Sequence, residues 1–233
     1  PWIVWVVLGI TVASVTGGGL MSPFGLRNKG RNAAMRTVPR SYVGLNETKA
    51  ASGGITFDYV TPPGSAADKA GLIGGDIITA LDGQQVTSPD QFIKLLIATP
   101  VGKTVDVVFI RDGETRTTQM TTISKEEQER LKDLFDDRPE GKGFLGIKDW
   151  ERTLVPGMTI YGVRLDKVAK NQPGYIAGLR DGDIILEFNG TPIRTARELV
   201  ARIERTVPDT VVKVVVMRGS ERLEIPVKIG VDD

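Results

Sequence analysis

The side chains that usually carry out covalent chemistry are scarce in this chain. Its 233 residues contain no histidine and no cysteine. A Ser-His-Asp triad and a Cys-His pair are therefore excluded within them. A His-Glu-x-x-His zinc motif is excluded too, and a zinc site built from carboxylates alone would be unusual. No disulfide framework is available, so cysteine usage does not report the redox compartment. A Ser-Lys dyad is still compatible with the composition. Ser124 and Lys125 are neighbours, but they open the charged stretch SKEEQERLKDLFDDRPEGK (124–142). That is a poor setting for a desolvated lysine base. The residues offer little for covalent catalysis, and no metal and no cofactor is expected.

The net charge of +1 hides a split. Arg27, Lys29, Arg31, Arg36 and Arg40 all precede the first acidic residue, Glu47. Without those five, 25 basic residues face 29 acidic ones. A mildly acidic body argues against nucleic acid as a partner.

The elements that must position any site are written twice. Ala70–Gly83 reads AGLIGGDIITALDG and Ala177–Gly190 reads AGLRDGDIILEFNG, identical at eight of fourteen positions. At an offset of 107, Gly71–Met120 aligns with Gly178–Val227 without a gap. Upstream the offset falls to 102–103, which implies a short insertion in the second copy around Leu165–Asn171. A repeat of about 100 residues is a duplicated domain rather than a solenoid unit.

Each copy predicts the same order of elements. A short strand follows YVGL (42–45) or FLGI (144–147), and a second strand covers 55–60 or 158–163. A short helix then ends at Gly71 or Gly178, where glycine suits a left-handed C′ position. Asp82-Gly83 and Asn189-Gly190 are tight-turn pairs. Ser88-Pro89-Asp90-Gln91 and Thr195-Ala196-Arg197-Glu198 both read as capping boxes that start a second helix. Two closing strands follow, 103–110 with 114–122 and 210–217 with 221–229. The fold class is α+β: two small, mostly antiparallel β-barrels or sandwiches, each with two helices.

The order x-[LV]-G-[LI], strand, A-G-L-x-x-G-D-I-I, turn glycine, capped helix and V-x-V-x-V-x-R resembles a PDZ domain. It is most similar to the circularly permuted bacterial type found in HtrA/Deg serine proteases, over about residues 41–124 and 142–231. That family's Gly-Asn-Ser-Gly-Gly nucleophile loop is absent from the sequence, and GGGLMSP is not one. The resemblance implies that a ligand's terminal carboxylate binds a short glycine-containing loop, an anion nest of convergent amides. The ligand would then extend the next strand as an added strand. Carried over residue by residue, the loop of the second copy is Phe144, Leu145, Gly146 and Ile147. Strand residues Lys148 and Asp149 follow, and helix residues Leu199 and Ile203 form the facing wall. In the first copy the matching positions are Tyr42, Val43, Gly44, Leu45, Phe92 and Leu96. There the binding strand should continue through the polar run NETKAASGG, a departure from the pattern. An apolar wall implies ligands with apolar C-terminal residues.

Ahead of the repeats, PWIVWVVLGITVASVTGGGLM carries no charge. As a helix it would span about 30 Å, the thickness of a bilayer core. Residues 1–22 are expected to be a membrane anchor, or else a signal peptide, followed by a basic linker at 23–40. The domains at 41–124 and 142–231 would be joined by a charged helical spacer at 125–141. The basic residues after the span favour a cytoplasmic C-terminal side. The resemblance favours the periplasmic, extracytoplasmic face, and that is the expectation adopted. The functional expectation is a membrane-anchored adaptor that captures protein C-termini or unfolded segments with apolar ends. Two alternatives are a substrate-recognition part of, or partner to, an HtrA-like envelope protease, and a component of an envelope or secretion assembly.

Overall fold

A computed structural model describes residues 40–231. The first repeat holds β1 (Leu45–Asn46), β2 (Lys49–Ala51), β3 (Gly54–Thr56), β4 (Tyr59–Val60), α1 (Ala66–Lys69), β5 (Ile77–Leu81), β6 (Gln84–Gln85), α2 (Pro89–Ala98), β7 (Thr104–Arg111) and β8 (Glu114–Thr121). Helix α3 (Lys125–Asp136) follows. The second repeat holds β9 (Gly143–Phe144), β10 (Ile147–Leu154), β11 (Tyr161–Val168), α4 (Pro173–Ala177), β12 (Ile184–Phe188), β13 (Thr191–Pro192), α5 (Ala196–Arg205), β14 (Val211–Arg218), β15 (Glu221–Lys228) and β16 (Gly230–Val231). Each repeat builds an antiparallel sheet of the same order, β2-β3-β5-β7-β8 and β10-β11-β12-β14-β15, with β6 on β5 and β13 on β12. Among the described residues no helix is long and apolar enough to cross a membrane. The anchor expected at 1–22 lies outside them.

The doubled motif proves to be a buried clamp. Asp76 takes two bonds from Arg111, at 2.7 and 2.6 Å, and one from the Ile73 amide at 2.9 Å. Asp183 repeats this with Arg218 at 2.7 and 2.8 Å and the Arg180 amide at 2.9 Å. Each arginine also reaches a helix-terminal carbonyl, of Gly71 or Gly178, at 2.8 Å. The motif thereby ties the short helix to the closing hairpin in both copies. Asp82-Gly83 and Asn189-Gly190 both have positive φ at the two positions, as a type I′ turn requires.

The copies part in the hairpin that follows the glycine-containing loop. In the first, Leu45 pairs with Val60 and Ala51 with Gly54, leaving a two-residue turn. Its edge is cut into β1 and β2, with Glu47 at φ 54° between them. In the second, β10 and β11 pair from Ile147↔Val168 to Leu154↔Tyr161. The extra residues therefore sit at the hairpin tip, 155–160, and not around Leu165–Asn171 as the repeat alignment suggested. The second strand accordingly runs Tyr161–Val168 rather than 158–163. The tip residues have no counterpart in the first copy to align against, and they fold as a cover. Val155 is fully buried and packs with Ile184, Leu186, Val215 and Met217 on the outer face of the sheet. This explains why Val215 and Met217 of β14 are buried, while Val108 and Ile110 at the matching positions of β7 are only half-buried.

The described residues form one compact unit, and the contact between the repeats is polar. Arg194 holds Asp112 through two bonds of 2.6 and 2.8 Å. Arg205 holds Asp68 at 2.6 Å. Burial pushes Asp68 up, but the Gly64 amide with Arg205 and Arg202 outweighs it and holds the carboxyl below its ordinary 3.8. The Arg194 hydrogen bonds hold Asp112 below the same value against a smaller opposing effect of burial. Carboxylates depressed in the folded chain add stability that is complete above the unfolded value and is lost as pH falls through the folded one. The contact should therefore persist at about pH 5 and loosen below about pH 4. A fluorescence-transfer pair with one dye on each domain should lose efficiency in that lower window. Constant transfer down to about pH 2.5 with both domains still folded would contradict this assignment.

Candidate functional site

The loop Phe144–Ile147 connects β9 to β10, and Gly146 turns it at φ 77°. Its carbonyls are committed inward, with Leu145 accepting from the Gly174 amide at 2.9 Å and Gly146 from the Ala169 amide at 2.8 Å. The Leu145 and Gly146 amides have no acceptor among the described residues. Donors without partners beside a glycine can form an anion nest. A Cβ on Gly146 would run into the Gln172 side chain. Both φ and space therefore demand glycine.

Next to the loop lies a hollow of about 150 Å³. It is lined by the loop residues 143–147, by Trp150 of β10 and by Val200, Ile203 and Glu204 of α5. A register shift around Asp149 in β10 brings Ile147 and Trp150 onto the core side, while Lys148 and Asp149 are exposed. Strand β10 ends its sheet, and among the described residues nothing pairs with its outer edge. A nest, an apolar hollow and an eight-residue free edge thus lie in line. Such an arrangement can take a carboxylate, then an apolar side chain, then an extended backbone.

The candidate residues separate on inspection. Leu145 and Ile203 line the hollow and also join the core, whereas Leu199 is fully buried and does not line it. Val200 and Trp150, which do, escape the sequence reading. Val200 is one position from Leu199, a turn of about 100° around the helix. Helical spacing alone does not separate core from groove at that resolution. The lone tryptophan on an edge strand was the available signal for Trp150.

In the first domain, Val43, Phe92 and Leu96 are core residues. Leu45 is partly buried against that core, and Tyr42 pairs with Ile123 through the backbone. Gly44 has φ 87°, and the Val43 and Gly44 amides have no acceptor among the described residues. The same pair of unpartnered donors is present there, but the edge beside it is the broken β1–β2 pair. Ile93 and Ile97 of α2 are exposed at the positions of Val200 and Glu204.

A larger cleft of about 510 Å³ adjoins the hollow and shares Val200 and Glu204 with it. Its other walls are Tyr59 and Pro62 of the first domain and Lys132 and Phe135 of α3. The charged helix expected to be a solvated spacer thus has no buried residue yet borders the groove helix. Among the described residues no cluster of acidic side chains is arranged to hold a metal ion.

Comparison with known proteins agrees with the duplication. PDZ-domain models match residues 62–111 and 137–229. A probable periplasmic serine protease, do/HhoA-like, of Haemophilus influenzae is 32% identical over 149 residues, covering 64% of this chain and 30% of that protein. A putative zinc metalloprotease of Xylella fastidiosa is 30% identical over 174 residues, covering 72% of this chain and 36% of that protein. The chain spans about a third of the length of the curated relatives it matches. A solved HtrA3 PDZ domain bound to a phage-derived ligand, FGRWV, is 29% identical, covers 38% of this chain and 85% of that one, and has a TM-score of 0.31. Relatives described as a serine protease and as a zinc metalloprotease thus each match well over half of this chain.

Proposed function

This chain belongs to the PDZ-domain family, with two such domains in tandem, and from that premise we propose that the second domain captures polypeptide C-termini by strand addition along β10. The observation that carries the reading is the pair of unpartnered amides at Leu145 and Gly146, set at the head of a free edge and beside an apolar hollow. The ligand's last side chain enters between Trp150, Val200 and Ile203, which favours an apolar residue. The site residues are then Phe144, Leu145, Gly146 and Ile147 with Trp150, Val200 and Ile203. The broken edge of the first domain gives it the weaker site. The apolar run 1–22 acts as a membrane anchor that holds the pair on the extracytoplasmic side, a placement supported by relatives described as periplasmic. A second reading is favoured by the protease relatives: the pair selects substrate tails for an envelope protease, supplied by a partner or by a longer chain.

Titrating the chain with a peptide library that varies the last residue tests the capture reading. Peptides ending in Val, Leu, Ile or Phe should bind and shift the NMR resonances of Ile147–Leu154. Those ending in Asp or Lys should not. Binding that shifts only the first domain's residues would move the site there.

A further inference from the structure

We infer that the first domain braces the groove helix of the second, with Glu198 as the positioning residue, so that peptide affinity belongs to the two-domain unit. This rests on the capture reading above. Thr195 Oγ1 caps α5 by accepting from the Glu198 amide at 3.1 Å. In a capping box the Glu198 carboxylate would return to the amide of its own cap. Instead it crosses to the first domain. Its Oε2 accepts from the Val60 amide at 3.1 Å and the Gly74 amide at 3.0 Å, and Arg202 holds Oε1 at 2.7 Å. The residue is 1% exposed. The Thr195 hydroxyl likewise donates to the Asp58 carbonyl. At the other end of α5, Arg138 donates to the Glu204 and Arg205 carbonyls at 2.6 and 2.9 Å. Groups outside the second domain therefore hold both ends of the helix that forms one wall of its hollow.

The repeats differ where this contact needs them to. The position of Glu198 is taken in the first copy by Gln91, whose carbonyl bonds its own Thr87 amide at 2.8 Å. The position of Gly74 is taken in the second copy by Asp181, whose carboxylate bonds the Val168 amide at 2.7 Å. Any Cβ on Gly74 would collide with the Asp58 carbonyl and crowd Thr195. Val200 and Ile203 lie within two turns of Glu198, so releasing the helix shifts the wall of a hollow of only about 150 Å³.

Coupling of this kind is reciprocal. In the full chain, Glu198→Gln should weaken binding of an apolar-ended peptide about tenfold by calorimetry, and Arg138→Ala should weaken it in the same direction. Arg116→Ala, on the exposed face of β8, should not. In the unmutated chain, saturating the second domain with peptide should slow hydrogen exchange at the Val60 and Gly74 amides, which the peptide does not touch. Unchanged affinity in Glu198→Gln, or exchange at those amides indifferent to peptide, would overturn the brace. Should the unmutated chain bind no peptide, the capture reading fails by itself. The brace is then decided by exchange at Leu199–Ile203, which must quicken in Glu198→Gln and would refute it by staying constant.

Discussion

Gly146→Ala is expected to lower the second domain's affinity for a C-terminal peptide by about 100-fold or more. At φ 77° an alanine costs about 1–2 kcal/mol in the left-handed region. Its Cβ would also meet the Gln172 side chain, so the loop must move. Moving it turns away the Leu145 and Gly146 amides. Bonds to a charged acceptor contribute about 1.5–3 kcal/mol each, and losing two amounts to about 3 kcal/mol or more. That is a factor of about 100 or more in affinity. Gly44→Ala should damage the first domain's loop through its contact with Ser65 and, reaching the second domain only through the Val60 brace, should cost binding there no more than the about tenfold expected of Glu198→Gln. Calorimetry on both variants, with circular dichroism to verify folding, checks the pair. Equal losses from both would contradict the assignment of the site to the second domain.

Arg111→Met is expected to be the most damaging change to the fold. It strands the Asp76 carboxylate, 1% exposed, with the Ile73 amide as its one remaining partner in that cluster. Removing one member of a buried pair costs about 3–5 kcal/mol. Even in the unmutated chain, burial pushes the Asp76 carboxyl above its ordinary 3.8 against the bonds from Arg111 and Ile73. Without Arg111 the shift must grow. A carboxylate raised in the folded state destabilises that state above its folded pKa, and the penalty disappears as pH falls through it. The deficit of Arg111→Met should therefore be largest at neutral pH and should narrow on acidification toward about pH 5. Urea titrations at several pH values would read this, and a deficit independent of pH would show that Asp76 is not the group released. Arg218→Met should cost less, because Arg218 is 41% exposed and water can reach the cluster through the space it leaves.

Much of this was legible because it is local. The doubled AGL..GD announces a helix end, a turn and a strand, whereas the arginine 35 residues on that completes its clamp in both copies was not read from the sequence. Asp-Gly and Asn-Gly demanded their turns through backbone sterics. Ser88 and Thr195 capped as their types predict, accepting from Gln91 and Glu198. What escaped depends on neighbours distant in sequence. Thr-x-x-Glu reads the same whether the glutamate returns to its own helix or crosses to Val60 and Gly74. The insertion was misplaced because the residues of the 155–160 tip have no counterpart against which to align. Val200 and Leu199 are adjacent apolar residues, and only the packed core decides which one faces the groove.

In the proposed capture, a free carboxylate docks on the two amides at Leu145 and Gly146. The most direct test is a matched pair of peptides with one apolar-ended sequence, one with a free C-terminus and one amidated, titrated into the same chain. The free acid should bind, and the amide should be weaker by at least about tenfold, the loss of one charge-assisted bond. Equal affinity for the two would contradict capture of a C-terminus at this loop.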